Sequence, residues 1–197
     1  IEGAVKYFAL NFLASIIFLT ALAVLYGLTG TLNMADLAMK LPLVQQRSLV
    51  DVCAFLFFVA FGIKAAVFPL YFWLPAAYHT PPPAVTAIFG GLLTKVGVYA
   101  MLRVFTLMFP WDAFIQGLLV TIAVLTILTG AFGALTKRHL VKSLAWLIVC
   151  HVGFMLAGLA THNQAAIAGA IFYMAHDMLV KTGLFLFAGI SYRLLAT

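Results

Sequence analysis

Ionisable side chains stand inside several long apolar segments of this 197-residue chain. Lys64 lies in FGIKAAVFPLYFWLP, Lys95 in GGLLTKVGVYAMLR and His151 in WLIVCHVGFML. The proton affinity of a buried lysine changes strongly with hydration and with the nearness of a carboxylate, and histidine exchanges protons near neutral pH. A row of such groups with water between them can pass protons along. The chemistry that these residues predict is proton transfer through an apolar layer.

The two lysines lie at different depths in their segments. Lys64 is close to the end of its apolar run, so its ammonium could instead reach the lipid headgroups while its methylene stem stays buried. Lys95 lies near the middle of the run from Ala84 to Met108, where a charge costs at least about 2.5 kcal/mol on insertion scales. We therefore expect both side chains to face the interior of a helix bundle, and the headgroup position is the alternative for Lys64.

A further polar group lies in FYMAHDMLVKTGLFLF. Asp177 and Lys181 share one helix face at i, i+4 and could simply neutralise each other, and a lone histidine such as His151 is often a hydrogen-bonded core residue. The other interpretation is that these side chains together form one polar path in the interior of the bundle, because lipid offers none of them a partner. The predicted proton-transfer residues are Lys64, Lys95, His151, His176, Asp177 and Lys181.

The elements that must position these residues are transmembrane helices. The chain is 65% hydrophobic and 8% charged, whereas soluble domains are roughly 25% charged. Several of its apolar runs reach or exceed the length of about 20 residues that crosses a bilayer as a helix, and they lack the alternation of barrel strands. We predict an all-α polytopic membrane protein with about six spans, near residues 5–27, 49–68, 84–108, 113–135, 144–160 and 165–192.

Pro69 and Pro75 predict a helix break beside Lys64. Proline lacks an N–H donor, and the ring of Pro69 would clash with the carbonyl of Ala65 in a continuous helix. Because the apolar run resumes as LYFWL, we predict a discontinuous helix near Lys64 to Pro75 rather than a simple loop. Backbone groups freed within a membrane are tolerated only inside protein or beside a water-filled cavity.

The sequence also predicts a short surface helix after the first span and interfacial tryptophans near the span ends. In NMADLAMKL, Asn33 can cap a short surface helix in which Asp36 and Lys40 pair at i, i+4. Three tryptophans near the span ends are expected to be interfacial anchors, namely Trp73, Trp111 and Trp146.

Several classes of function are disfavoured by what the sequence contains. The net charge of +6 comes from basic residues scattered around the spans, which more often set orientation in the bilayer than bind nucleic acid. Cys53 and Cys150 lack the spacing of a metal site, and no Walker, dinucleotide-binding or hydrolytic motif is present. We predict no cofactor, no metal site, no catalytic residue and therefore no enzyme with its own cofactor.

The segments around the polar residues also form a recognisable pattern. FGIKAAVFPLYFWLP, LPAAYHTPPPAV, GGLLTKVGVYAMLR and KRHLVKSLAWLIVCHVGF resemble the antiporter-like proton-translocating subunits that respiratory complex I, membrane hydrogenases and Mrp-type multisubunit Na+/H+ antiporters share. The opening NFLASIIFLTALAVLYGLTGTLNMADLA and the segment AIFYMAHDMLVKTGLFLFAGI are most similar to the D subunits of the Mrp type. The resemblance covers nearly the whole chain.

The resemblance implies a longer chain built from two inverted repeats, of which residues 1–197 would be a partial antiporter-like transmembrane domain. It implies that Lys64 is the lysine of the first broken helix, that Lys95 is the connecting lysine of the next helix, and that His151 is the histidine after the basic linker. Lys181, with His176 beside it, would occupy the polar position of the long last span.

The sequence departs from the family pattern in two respects. Ala76 and Ala77 follow WLP, where the family often has an acidic residue, so no role of that carboxylate carries over. The glutamate partner of the first lysine would belong to a helix before this segment, and Glu2 does not match its apolar context. The second broken-helix lysine would lie beyond Thr197.

The resemblance implies a secondary transporter subunit that exchanges Na+ for H+ with the other subunits of a membrane antiporter complex as partners. We expect a multi-pass protein of the cell inner (plasma) membrane, and the flanking basic residues favour both ends in the cytoplasm. One alternative is the proton-pumping subunit of a complex I-like NADH dehydrogenase or membrane hydrogenase. Another is a purely structural membrane subunit, whose buried lysines would be mutually isolated.

Overall fold

Six apolar helices dominate the computed structural model, which describes residues 2–195. Each is long and apolar enough to cross a bilayer, and the prediction of an all-α polytopic membrane protein with about six spans is confirmed. Ile1, Ala196 and Thr197 lie outside the described residues, as do the side chains of Glu2, Arg193 and Leu195. The candidate spans are Gly3–Thr29, Arg47–Ala65, Pro83–Leu107, Ala113–Leu135, Leu140–Ala160 and Gln164–Tyr192.

The helices follow one another along the chain with short connections. In chain order they are α1 (Glu2–Thr29), α2 (Met34–Lys40), α3 (Arg47–Ala65), α4 (Trp73–Ala77), α5 (Pro83–Ile88), α6 (Thr94–Leu107), α7 (Ala113–Leu135), α8 (Leu140–Ala160) and α9 (Gln164–Leu195). A 3-10 turn, Leu41–Leu43, follows α2, and a π-helical turn, Phe89–Leu93, joins α5 to α6 without interrupting the span.

The spans lie antiparallel to their neighbours. Helix α8 packs between α7 and α9, α9 packs against α5 and the π-helical turn, and α3 packs between α1 and α6. Residues 78–82 and 136–139 therefore lie at one end of the bundle, which we term the basic face after its Lys137, Arg138 and His139. Residues 108–112 and 161–163 lie at the opposite end.

Small residues let α7 and α8 pack closely against each other. A Cβ at Gly130 would overlap the backbone of Cys150, and one at Gly133 would overlap the ring of Trp146. Close approach through glycine is the usual means of helix packing in lipid, where no hydrophobic force drives apolar faces together. Large apolar side chains cover the outer surface instead, among them the exposed Phe172, Leu179 and Phe187 of α9.

The short surface helix predicted after the first span is present as α2. The side chain of Asn33 accepts a hydrogen bond from the backbone N–H of Ala35, and Asp36 pairs with Lys40 at 2.9 Å. The hydrogen bond from Lys40 holds the pKa of the Asp36 carboxyl below its ordinary value. This ion pair is exposed on both sides.

Candidate proton-transfer site

Lys95 is fully buried between helices, as the sequence predicted. Its side chain is 0% exposed, and its ammonium forms a 2.7 Å ion pair with Oδ2 of Asp177 on α9. It also donates a 2.9 Å hydrogen bond to the carbonyl of Gly90. A buried ammonium is tolerable only when it is paired and hydrogen-bonded, and here both conditions are met.

The π-helical turn supplies the carbonyl that Lys95 uses. Phe89–Leu93 departs from i→i−4 bonding, and Lys95 is five residues beyond Gly90, so its side chain reaches back to that carbonyl. Gly91, in the same turn, packs so closely on Thr182 of α9 that a Cβ would overlap the hydroxyl. The turn therefore brings the start of α6 against α9 and places Lys95 opposite Asp177.

Asp177 joins three helices. Its Oδ2 binds Lys95 of α6, and its Oδ1 accepts a 2.5 Å hydrogen bond from Nδ1 of His151 on α8. The aspartate is 2% exposed, whereas the histidine is 26% exposed. The carboxylate is thus a bridge between two groups that can each carry a proton, one deep in the bundle and one at its edge.

Lys181 lies one helical turn from Asp177 on the same face of α9 and is 1% exposed. Within the described part of the chain it forms no ion pair with that aspartate, whose two oxygens are taken by Lys95 and His151. Two buried ammonium groups therefore share the neighbourhood of one carboxylate. Repulsion between like charges is strong where water is scarce, so holding every proton in this cluster at once is costly.

Comparison with known proteins shows the family of the chain. Residues 1–196 match the family described as NADH:quinone oxidoreductase/Mrp antiporter, TM. The chain belongs to that family. The D-type Na+/H+ antiporter subunit of Alkalihalophilus pseudofirmus is 47% identical to it over 100% of this chain and 40% of the relative.

Two solved structures of multisubunit membrane complexes contain chains with the same fold. A chain of the Mrp complex from a Dietzia species has a TM-score of 0.88 and 37% identity, over 95% of this chain and 35% of that one. A chain of respiratory complex I from Thermus thermophilus has a TM-score of 0.88 and 28% identity, over 98% of this chain and 41% of that one. The chain spans 40% of the length of the Alkalihalophilus pseudofirmus subunit. The family predicted from the sequence is confirmed.

Lys64 does not join the cluster in this family member. It lies in the last turn of α3 and is half-buried, beside a groove of about 360 Å³ between α1, α3 and α6 that Asn11 and Ser15 also line. Among the described residues its ammonium has no hydrogen-bond or ion-pair partner. Gly97 of α6 packs against the backbone of Phe61 and Lys64, so α3 and α6 touch through backbone while Lys64 and Lys95 point to different neighbours.

The predicted discontinuous helix is present, and side chains satisfy its backbone. Helix α3 ends at Ala65, where Ala66 adopts a left-handed conformation, and the chain turns through Pro69 before α4 carries Pro75. The backbone N–H of Phe68 donates to Oγ1 of Thr126 on α7 at 3.0 Å. Such partners meet the requirement that polar backbone within a membrane be enclosed by protein.

Trp73 corrects one expectation. Instead of anchoring at the lipid interface it is 0% exposed, and its indole N–H donates at 2.9 Å to the carbonyl of Ile63 in the last turn of α3, which also accepts the backbone N–H of Ala66. Sequence reasoning had also given no role to Thr126. The sequence signal for Thr126 was a hydroxyl inside an apolar span. Its role depends on which helix the hydroxyl faces, and the sequence does not show that.

His176 lies outside the cluster. It is exposed on α9, and its ring stacks loosely on that of Tyr173, with centroids 6.5 Å apart. Tyr173 in turn lies beside His151, with ring centroids 5.6 Å apart. The structure thus brings together Lys95, His151 and Asp177, with Lys181 adjacent, and places Lys64 and His176 on separate surfaces.

Proposed function

We propose that this chain is part of a proton-translocating membrane subunit of a multisubunit Na+/H+ antiporter. The observation that carries the proposal is the buried Lys95–Asp177–His151 chain, which links the bundle interior to its edge through hydrogen-bond distances. The identity of 47% to a D-type Na+/H+ antiporter subunit supports the antiporter assignment. Residues 1–197 would form a partial antiporter-like transmembrane domain.

In this proposal each residue holds or passes a proton. Lys95 gives its proton to Asp177 or to water, and the Asp177 carboxylate exchanges protons with His151 over a 2.5 Å contact. Lys181 sets how readily Lys95 keeps its proton, because the positive charge of Lys181 disfavours a second ammonium nearby. Lys64 stores and releases protons in its separate groove, and His176 continues the path along the outer surface of α9 toward neighbouring protein.

The remaining assignments follow from that role. The chain would act as part of a secondary transporter and not as an enzyme, with H+ and Na+ as the transported ions and the other subunits of the complex as partners. It would lie in the cell (plasma) membrane as a multi-pass protein with residues 2 and 195 on the cytoplasmic side, because Lys137 and Arg138 mark the basic face.

The test uses the complete complex in everted membrane vesicles. Lys95→Ala and Asp177→Asn should each abolish Na+-dependent dissipation of a pH gradient. The matched controls are Lys40→Ala and Asp36→Asn, which break the exposed pair of the same kind and should leave antiport intact. Wild-type antiport in both buried variants would refute the proposal.

A second candidate is the equivalent subunit of a redox-driven proton pump. The TM-score of 0.88 to a chain of respiratory complex I supports it, although identity there is only 28%. The two candidates share the proton path and differ in energy source, so purification of the native complex and identification of its other chains decide between them. A purely structural subunit predicts mutually isolated buried lysines, whereas Lys95 and Lys181 lie beside the same carboxylate, and that arrangement argues against it.

A further inference from the structure

A cavity of about 310 Å³ opens on the basic face between the 79–86 segment, the start of α8 and the end of α9. Its lining brings together side chains that suit an anion, namely the Lys142 ammonium, the His79 and His139 imidazoles and the Tyr192 hydroxyl. Among the described residues that line it there is no aspartate or glutamate. The cavity therefore offers hydrogen-bond donors and positive charge without an acidic partner of its own.

The acidic side chains of the protein lie elsewhere. Four of the five acidic residues are away from the basic face, three of them toward the opposite end of the bundle and one in the buried cluster. They are Asp36, Asp51, Asp112 and Asp177. The fifth is Glu2, whose side chain is outside the described residues. Within the described part of the chain neither Arg138 nor Lys142 forms an ion pair, so the positive potential at the cavity attracts a negatively charged ligand.

Backbone contacts position the 79–86 wall of the cavity. Nδ1 of His79 lies 3.0 Å from the carbonyl oxygen of Pro75. Because a carbonyl only accepts hydrogen bonds, Nδ1 carries the hydrogen, and Nε2 remains for another partner. The Thr86 hydroxyl donates to the carbonyl of Pro81 at 3.2 Å. The imidazole is thus held in place, and in its protonated form it presents a second donor to a ligand.

An apolar cleft of about 150 Å³ adjoins the cavity on the outer surface of the bundle. The two spaces share Pro83 and Gly189, and a Cβ at Gly189 would overlap the Pro83 ring, so α5 and α9 touch at their common floor. The other walls of the cleft are Ala84, Leu186 and Ile190, of which the last two are 42% and 59% exposed. A basic cavity at the end of the bundle thus continues into an apolar cleft on the outside of two spans.

We propose that the cavity and the cleft together bind one anionic phospholipid, with its headgroup phosphate among Lys142, His79 and His139 and an acyl chain along the cleft. Basic pockets between transmembrane helices are suited to acidic lipid headgroups. A zwitterionic lipid carries a cation of its own, which like charge on Lys142 disfavours, so the site selects an acidic headgroup. This goes beyond the proposed function, since it requires only that the chain spans a membrane, and it holds whether or not the buried cluster conducts protons.

Two other occupants have related features. A free phosphate ion would use the cavity alone, because it has nothing to place in the cleft. A helix from elsewhere in the complex would cover the cleft and exclude lipid from it. The three occupants differ in how strongly an acyl chain contacts the cleft, and a lipid with a photoreactive diazirine in that chain measures this contact directly.

The experiment places the complete complex in phosphatidylcholine vesicles that contain a trace of diazirine-bearing phosphatidylglycerol or, for comparison, diazirine-bearing phosphatidylcholine. After illumination, mass spectrometry of peptides measures the label on residues 83–84 and 186–190. The phosphatidylglycerol probe should label both walls at least roughly fivefold more than the phosphatidylcholine probe, the effect of one cation on an acidic headgroup. Equal labelling by the two probes would overturn the proposal, and so would the absence of label, which would mean that protein covers the cleft.

A charge variant tests the headgroup part of the site. Lys142→Gln keeps most of the side-chain length and should remove the excess label from phosphatidylglycerol. The matched control is Arg138→Gln, which loses the same charge from the basic face at an exposed position that does not line the cavity, and it should keep the excess. An equal loss in both variants would indicate diffuse attraction to the surface and would contradict a defined site.

A shape variant tests the acyl-chain part. Ile190→Trp fills the cleft from its exposed wall and should lower the label on residues 83–84, whereas Phe187→Trp, at a 64% exposed position outside the cleft, should not. Unchanged labelling in Ile190→Trp would contradict the cleft. Millimolar inorganic phosphate at constant ionic strength should leave the excess label in place, because a free ion gains nothing from the cleft. Complete displacement of the lipid by phosphate would overturn the lipid assignment in favour of a free anion.

Discussion

Replacement of Asp177 by asparagine tests whether the buried ion pair is what makes Lys95 tolerable. The substitution keeps the side-chain shape and removes the negative charge from a site where Lys95 is 0% and Asp177 is 2% exposed. The ammonium then loses its charged partner and keeps only neutral acceptors, the Gly90 carbonyl and the single amide oxygen of the substituted side chain. Removing one member of a buried pair costs about 3–5 kcal/mol, because the other charge is left uncompensated. That is a change of roughly a hundredfold to a few thousandfold in the folding equilibrium.

Removal of both charges should largely reverse the loss of stability that Asp177→Asn causes. Lys95→Met with Asp177→Leu fills the same space with apolar atoms, and such replacements of buried pairs are often neutral or stabilising. The assay is thermal stability of the purified complete complex, followed by fluorescence-detected size exclusion, together with antiport in vesicles. We expect Asp177→Asn to be unstable and inactive, and the double variant to be stable and inactive. Asp36→Asn, in the exposed pair, should match wild type in both assays.

Two results would refute this reasoning. Wild-type stability of Asp177→Asn would mean that the pair is not what stabilises the buried ammonium. A double variant no more stable than Asp177→Asn would mean that the loss comes from packing or from the His151 hydrogen bond and not from the unpaired charge.

Three further predictions concern the helix break and the helix contact beside it. Thr126→Val removes the acceptor of the Phe68 N–H while keeping the side-chain shape, and it should lower the stability of the complex by about 1–3 kcal/mol. Thr126→Ser keeps the acceptor and should not lower the stability. Thermal melts of the complex distinguish the two variants. Trp73→Phe removes the indole donor and leaves the Ile63 carbonyl with the Ala66 N–H, so it should destabilise by about 0.5–1.5 kcal/mol in the same assay. Gly97→Ala should destabilise by about 1–3 kcal/mol, since its Cβ would overlap the α3 backbone, whereas Gly183→Ala, with open space around it, should be neutral or stabilising.

The transmembrane spans could be predicted from sequence because the bilayer imposes one length and one composition on every span. The predicted 113–135 coincides with α7, and the predicted 49–68 begins two residues after the start of α3 at Arg47 and runs three residues past its end at Ala65. That end was misplaced because the left-handed Ala66 stops the helix before Pro69, and its stop depends on Thr126 and Trp73 from elsewhere in the fold.

The individual polar residues were also recognisable, since an ionisable side chain in an apolar run must find a partner or incur a large penalty. The partners of these residues were not recognisable from the sequence. The i, i+4 spacing made Lys181 the obvious partner of Asp177, but the carboxylate binds Lys95 and His151 from two other helices.

The sequence by itself determined that this chain crosses a membrane as helices, that one helix breaks beside Lys64, and which charges lie within the apolar layer, because hydropathy and proline geometry act locally. Only the tertiary structure decided which charges meet. Helix rotation and close contact are set by packing over many residues, such as Gly97 on α3 and Gly91 on α9. A rotation of one helix by a fraction of a turn would have turned Lys95 toward lipid and left Asp177 alone, with no change in the hydropathy of the span.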